Sequence, residues 1–303
     1  MQVKIAAALG YGPGDAERVA PLVVITTTGD RVQDRRLLEI GGKALFTKEI
    51  EEAMLAGEID CAIHSMKDVP IDRQPGLVLA AIPVREDPRD AFLSPHYANM
   101  DALPQGARLG TASLRRQTQT LYRRPDLNIV MVRGNVDTRL TKLEAGEADA
   151  MLLALAGLKR LGLAGAVRDI LDPVVAPPAP GQGALAIETH ERNAEADWVR
   201  ALRDEPTTLT VAAERGALEA LEGSCRTAIG AHGRLDGRRL TLIVEALTPD
   251  GHERFRREAE RTLGAAPEAE ARALGAELGE AIRAEGGDRL MLPGTPTSTE
   301  PQP

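Results

Sequence analysis

The stretch from Arg108 to Lys142 carries eight cations, Arg108, Arg115, Arg116, Arg123, Arg124, Arg133, Arg139 and Lys142, against two acids, Asp126 and Asp137. A local balance of +6 inside a chain of net charge −8 is material for an anion site. Two polar residues sharpen that reading. Ser113 stands just before the helical pattern that carries Arg115 and Arg116, and Asn135 just before the one that carries Arg139. Each is suited to cap its helix, and a helix N-terminus offers unpaired N–H groups to an anion. Arginines beside it add forked donors that match a carboxylate. Phosphate would suit the same donors, so charge and spacing alone leave the anion open.

A second constellation is His64-Ser65-Met66-Lys67-Asp68-Val69-Pro70, directly after the apolar run 60–64. If that run is a strand, Lys67 and Asp68 project from its end, where α/β sheets bind ligands. A carboxylate among cations and bound anions can hold a developing positive charge and shuttle its proton. An exposed turn with a surface ion pair is the plainer alternative. His64 sits within the apolar run and reads as a core histidine. Cys225 follows Leu221-Glu222-Gly223-Ser224 and precedes Arg226. The glycine permits a tight turn, and the arginine favours thiolate, so a reactive thiol and a small buried side chain both remain open. Cys61, inside a strand pattern, reads as buried. The five histidines are scattered and no cysteine pair has ligand spacing, so no metal is expected. Neither a phosphate loop nor a dinucleotide fingerprint is present.

The elements that must position these residues alternate. Apolar runs at 3–9, 22–28, 60–64, 77–82, 128–132, 149–154 and 184–188 predict strands, and 44–56, 114–122, 136–145 and 155–161 predict helices. That order predicts an α/β fold with mostly parallel sheets under helices. Residues 172–183, rich in Pro and Gly, predict a crossing between lobes. Beyond about 204 the pattern becomes a helix at 207–221, a hairpin at 227–247 around Asp236-Gly237-Arg238, a strand near 253–259 and a helix at 267–284. The division expected is a first lobe of 1–83 plus 183–203, a second lobe of 84–182, a small α+β domain of 204–293 and a disordered tail of 294–303. With 303 residues, 43% of them hydrophobic, there is material for three cores. The acidic balance argues against nucleic acid or an anionic membrane as partner. Two cysteines and no apolar run of membrane-spanning length lead to the expectation of a soluble, cytoplasmic chain, and a monomer is expected without a sequence feature that decides it.

Several stretches in order resemble porphobilinogen deaminases: Gly41-Gly42-Lys43-Ala44-Leu45-Phe46-Thr47, His64–Pro70, Arg85-Glu86-Asp87-Pro88-Arg89-Asp90-Ala91-Phe92, Gly110–Gln117, Arg133–Leu140, Leu155–Leu161, Pro180-Gly181-Gln182-Gly183 and Glu222–Cys225. The resemblance implies two periplasmic-binding-protein-like lobes plus a third domain, and a dipyrromethane cofactor covalently attached to Cys225. It implies the joining of four porphobilinogens into hydroxymethylbilane with release of ammonia, for tetrapyrrole (heme) biosynthesis. Asp68 matches the family's catalytic aspartate, which stabilises the azafulvenium and the protonated pyrrole. Ser65, Lys67, Thr111, Ser113, Arg115, Arg116, Arg133, Arg139 and Gln182 would bind the cofactor, whose rings each carry two carboxylates. Arg160 and Lys43 would bind substrate, Lys43 from a mobile loop. At the N-terminus the sequence departs from the family's Thr-Arg-x-Ser-x-Leu-Ala stretch. Only 12 residues, Leu9 to Ala20, separate the first two expected strands, which predicts a first lobe short of part of its helical cover. A two-lobed receptor for anionic ligands would share such a cleft, and a deaminase-like chain that folds without turnover would share every motif.

Overall fold

The computed structural model describes residues 1–28, 47–221 and 227–292. Lys43, Cys225 and the tail from 294 onward lie outside them.

The first residues correct the sequence reading. The run at 3–9 is not a strand but helix α1, Gln2–Ala8. Met1, Ile5 and Ala8, spaced four and three apart, turn one face into a cluster with Ala80, Ala81, Ile187 and Val199. Gly10, at φ +84°, ends the helix. Its N–H donates to Ala7 O, and that of Tyr11 to Ala6 O, which satisfies the last carbonyls of α1. A four-residue helix α2, Ala16–Val19, follows. Residues 22–28, also expected as a strand, belong to none of the described sheets, with Leu22, Val23 and Val24 exposed. The shortened crossover therefore has no pair of strands to join. Helical cover is present in α1, while Leu22, Val23 and Val24 beyond it are exposed.

Helix α3, Lys48–Leu55, leads to strands β1, Cys61–Ser65, and β2, Leu77–Ala81. A short 3₁₀ turn, Met66–Asp68, closes β1. The chain then crosses to β3, Asp90–Leu93, and β4, Arg108–Gly110, neither of which the apolar pattern announces. There follow α4, Leu114–Arg123, β5, Asn128–Val130, α5, Val136–Glu144, β6, Ala150–Ala154, α6, Leu155–Arg160, and β7, Asp169–Ile170. A second crossing returns the chain to β8, Leu185–His190, and then to α7, Asp197–Arg200.

The first sheet has the order β1-β8-β2, and both of its pairings are antiparallel. The second runs β5-β4-β6-β3-β7, with β4 parallel to β5 and β6, and β3 antiparallel to β6 and β7. The first sheet is thus wholly antiparallel and only the second is mixed, so the mostly parallel sheets that alternation of strands and helices suggests are not what forms. The reason is β8, which comes back through the second crossing and inserts between β1 and β2 in the opposite sense. The two crossings touch: Glu86 N–H donates to Gly183 O at 3.2 Å. Gly183, at φ +87°, lies so close to the Glu86 carbonyl that a Cβ there would collide with it.

The last unit follows the sequence reading closely. Helix α8, Glu205–Ala220, is succeeded by β9, Ala228–Asp236, β10, Arg239–Leu247, β11, Arg254–Thr262, and helix α9, Pro267–Gly286. The three strands form one antiparallel sheet with β10 in the centre. The two helices cover it through Ala213, Ala217, Leu274 and Ile282, against Leu240, Leu242 and Val244.

Candidate functional site

Three element ends bring the expected residues together. β1 ends at Ser65, and its 3₁₀ turn carries Lys67 and Asp68. Beyond β4, Thr111 Oγ1 accepts from Ser113 N–H at 3.1 Å, and Ser113 caps α4 by accepting from Arg116 N–H at 3.4 Å. Beyond β5, Asn135 caps α5, accepting from Thr138 N–H at 2.8 Å. Both caps are the ones the sequence predicts. The shorter bond makes Asn135 the stronger of the two. Asn135→Ala is expected to cost about 1 kcal/mol of stability, and Ser113→Ala less; denaturant titration of the two variants checks the order.

Beneath these ends lies a group that the sequence reading left without a role. Asp90, the first residue of β3, is 1% exposed. Its Oδ2 accepts from Arg115 Nη1 at 2.7 Å, and its Oδ1 accepts from Arg116 Nη2 at 2.8 Å and from Gln182 Nε2 at 2.9 Å. Burial alone would raise the Asp90 carboxyl, but the two guanidinium groups outweigh it and hold the carboxyl well below its ordinary range. Arg115 also donates to Gln119 Oε1 and to the Pro177 carbonyl, so its described contacts are all internal. Gln182, buried as well, is taken up by Asp90, the Pro88 carbonyl and Arg116. Both residues, expected from the sequence to bind the cofactor, hydrogen-bond to Asp90 here, and Arg115 Nε is left without a hydrogen-bond partner. The clue was present in Arg85–Phe92, a polar stretch ending in apolar residues, but its partners lie 25 to 92 residues away.

Among the described residues, Arg133 and Arg139 above this base form no ion pair. Arg139 donates Nε to the Gly134 carbonyl at 2.8 Å. Its guanidinium is pulled below the usual arginine range by burial, then by Arg116 and Arg133. Arg133 has a buried Nη1 without a hydrogen-bond partner. Lys67 is accessible to solvent yet surrounded by protein. Its ammonium is pushed down by lost hydration first and by Arg116 and Arg115, against the opposing pull of Asp68 and Asp90. Arg160 sits at the crossing, with Nη2 on the Gly183 carbonyl at 2.7 Å. Ser65 and Asp68 are exposed at the end of β1. Lys67, next to Asp68, is thus within electrostatic reach of Arg115 and Arg116, and Arg139 is within reach of Arg116 and Arg133. Donors of this kind suit carboxylates, and a carboxylate such as Asp68 suits a neighbouring cation.

His64 is the core residue that its strand suggests: Nε2 lies 3.0 Å from Glu188 Oε2, both side chains buried. The Cys61 thiol is pushed up by burial and then by Asp60, which suits no nucleophile. The third unit is tied to both crossings by Glu214 of α8. Its carboxylate accepts two bonds of 2.8 Å from Arg85, one of 2.7 Å from Gly181 N–H and one of 2.9 Å from Gly233 N–H. No helix among the described residues is long and apolar enough to cross a membrane.

Comparison with known proteins agrees with this geometry. Residues 3–197 match the family model described as porphobilinogen deaminase, dipyromethane cofactor binding domain. Residues 208–284 match the porphobilinogen deaminase C-terminal domain. The porphobilinogen deaminase of Caulobacter sp. (strain K31) is 66% identical over 294 residues, covering 96% of this chain and 92% of that protein. That of Phenylobacterium zucineum (strain HLK1) is 63% identical over 297 residues, covering 96% and 93%. Among solved structures, the methionine-binding protein MetQ aligns with a TM-score of 0.37 at 17% identity, over 52% of this chain and 75% of that one, a likeness too slight to bear on function. Two family models that leave little of the chain unmatched, and relatives at this identity over almost all of it, establish that the chain belongs to the porphobilinogen deaminase family.

Proposed function

We propose that the chain is a hydroxymethylbilane synthase that polymerises four porphobilinogens, with loss of ammonia, on a dipyrromethane held by Cys225. The observation that carries this is the cluster of Arg116, Arg133 and Arg139, with its unpartnered Arg133 Nη1, whose Arg116 is also within electrostatic reach of Lys67, the neighbour of Asp68. A chain of pyrroles, each bearing an acetate and a propionate, brings two carboxylates per ring and meets that demand. The residues present fit the group. Lys67, Arg116, Arg133 and Arg139 would take its carboxylates, and Ser65, Thr111 and Ser113 would add hydroxyl and capping donors. Arg115 and Gln182 act from behind, through Asp90. Arg160, and Lys43 from outside the described residues, would receive the incoming substrate.

The bound cofactor supplies the nucleophilic pyrrole carbon to which the substrate is joined. This chain's own part is electrostatic. Asp68 holds positive charge on the substrate as its amine is protonated and leaves as ammonia, and then takes up the ring proton released on bond formation. The arginines keep the substrate's carboxylates turned away from Asp68. The reading includes a first lobe of 1–83 plus 183–203, a second of 84–182 and a third unit of 204–293, supported by one sheet in each. It also includes a monomer working in the cytoplasm, without nucleic-acid or membrane partners.

Intact mass is the direct test. The purified protein is expected to be heavier than its sequence by one dipyrromethane, with the added mass on the peptide of Cys225, and to convert porphobilinogen to hydroxymethylbilane. A two-lobed receptor would have the mass of the sequence. A modified Cys61 peptide would refute the anchor assigned to Cys225.

A further inference from the structure

Asp68 belongs to the first lobe, yet the helix of the third unit grips the backbone beside it. Val211 and Arg215 of α8 are four residues apart and share one side of the helix. Val211 joins Met66, Val69, Ala184 and Ala186 in a buried cluster. Arg215, buried too, donates Nη1 to the Val69 carbonyl at 3.0 Å and Nη2 to the Pro70 carbonyl at 2.9 Å. Met66 and Val69 bracket Lys67 and Asp68. The Met66 N–H is fixed on Ala184 O at 3.1 Å, and its side chain fills the space that a Cβ on Gly181 would need. The turn is thus held on one side by the second crossing and on the other by α8.

Packing alone would not call for an arginine here. Burial draws its pKa down to about 10, with Arg73 and Arg272 adding to the fall and Glu219 opposing it. An apolar side chain of similar volume would escape that cost. What only the guanidinium provides is a planar fork that reaches two successive carbonyls at once. The residue after Asp68 and the proline after it are thereby fixed relative to α8, whose sequence leads within five residues of its last helical residue, Ala220, to Cys225.

We propose that Arg215 is a positioning residue for the known reaction: by clamping the Val69 and Pro70 carbonyls it sets Asp68 at a fixed place relative to the helix that precedes Cys225. This rests on Asp68 being the catalytic carboxylate.

The test uses the loaded enzyme, with cofactor checked by intact mass, in the variants Arg215→Gln and Arg215→Lys. Ile282→Val, which thins the core between α9 and the third sheet, controls for general loss of stability. Arg215→Gln is expected to lower kcat about tenfold or more with KM nearly unchanged, since the substrate's carboxylate partners stay in place. Arg215→Lys should recover part of the loss, because an ammonium reaches one carbonyl without the fork. Amide exchange at 66–69 is expected to quicken about tenfold in Arg215→Gln and to stay native in Ile282→Val. Native exchange at 66–69 in Arg215→Gln overturns the proposal, as does a kcat loss that Ile282→Val reproduces at equal melting temperature. Should Arg215→Gln not fold, Arg215→Lys carries the same comparison. If wild type itself makes no hydroxymethylbilane, the functional reading fails, while the exchange measurement still decides whether Arg215 sets this turn.

Discussion

Replacing Asp68 by Asn is expected to reduce kcat with porphobilinogen by a hundred- to a thousandfold while fold and cofactor loading remain native. The turn does not depend on the carboxylate. Met66 and Val69 bury themselves on either side, Arg215 holds the carbonyls that follow, and Asp68 itself is exposed. An amide of the same shape therefore leaves the geometry alone and removes only charge. Its neighbour Lys67 is within electrostatic reach of Arg115 and Arg116, offset in part by Asp90. Without Asp68 the cleft is more positive at the point where the substrate becomes cationic. One preorganised charge contact in such a place is worth roughly 3–4 kcal/mol, which gives the stated range of rates. Asp68→Glu keeps the charge but moves it by a methylene, and a smaller loss is expected. Steady-state kinetics, intact mass and melting temperature separate the effects. If Asp68→Asn turns over like wild type, another group carries the positive charge.

Legibility in the sequence followed the range of the interactions. Caps act over three residues, so Ser113 and Asn135 were readable, as was the hairpin turn around Gly237. His64 was readable from its strand alone. Helix α1 was not, because a seven-residue run of apolar and small side chains satisfies a buried strand as well as a helix. Spacing of Met1, Ile5 and Ala8 decides only when the surface they cover is known. Strands β3 and β4, four and three residues long, are too short for periodicity to mark them. The arginines illustrate the deeper limit. Arg115 and Arg139 look alike as charges in one basic segment, but one is paired with a buried carboxylate and the other bonds only to a backbone carbonyl among the described residues. What separates them is Asp90, 25 residues before Arg115 in the chain. The grip of Arg215 on Val69 spans 146 residues, beyond any local pattern.

Asp90→Asn should be the most destabilising polar substitution in the second lobe, and its deficit should depend on pH in a defined direction. Asp90 is the one negative charge shared by Arg115 and Arg116 at the bottom of the cleft. An amide can still accept one hydrogen bond, but it leaves two buried guanidinium groups side by side without the carboxylate they share. Breaking a buried pair in this way costs about 3–5 kcal/mol, a large part of the roughly 5–15 kcal/mol that holds a domain together. The melting temperature is expected to fall on the order of 10 °C. Cofactor loading should fall as well, since Arg116 loses the bonds that aim it and Gln182 loses its carboxylate partner. The sign of the pH effect follows from the depressed carboxyl of Asp90, whose ordinary value is 3.8. A group that is more acidic in the folded state adds stability that is fully present above 3.8 and is lost as pH falls toward the folded value. Asn lacks that contribution throughout. The gap between wild type and Asp90→Asn should therefore be widest near neutrality and narrow only below about pH 4. Urea titrations of both proteins across that range measure it directly. A gap that stays constant through the acid range would mean that shape, and not the charge shared with Arg115 and Arg116, is what Asp90 contributes.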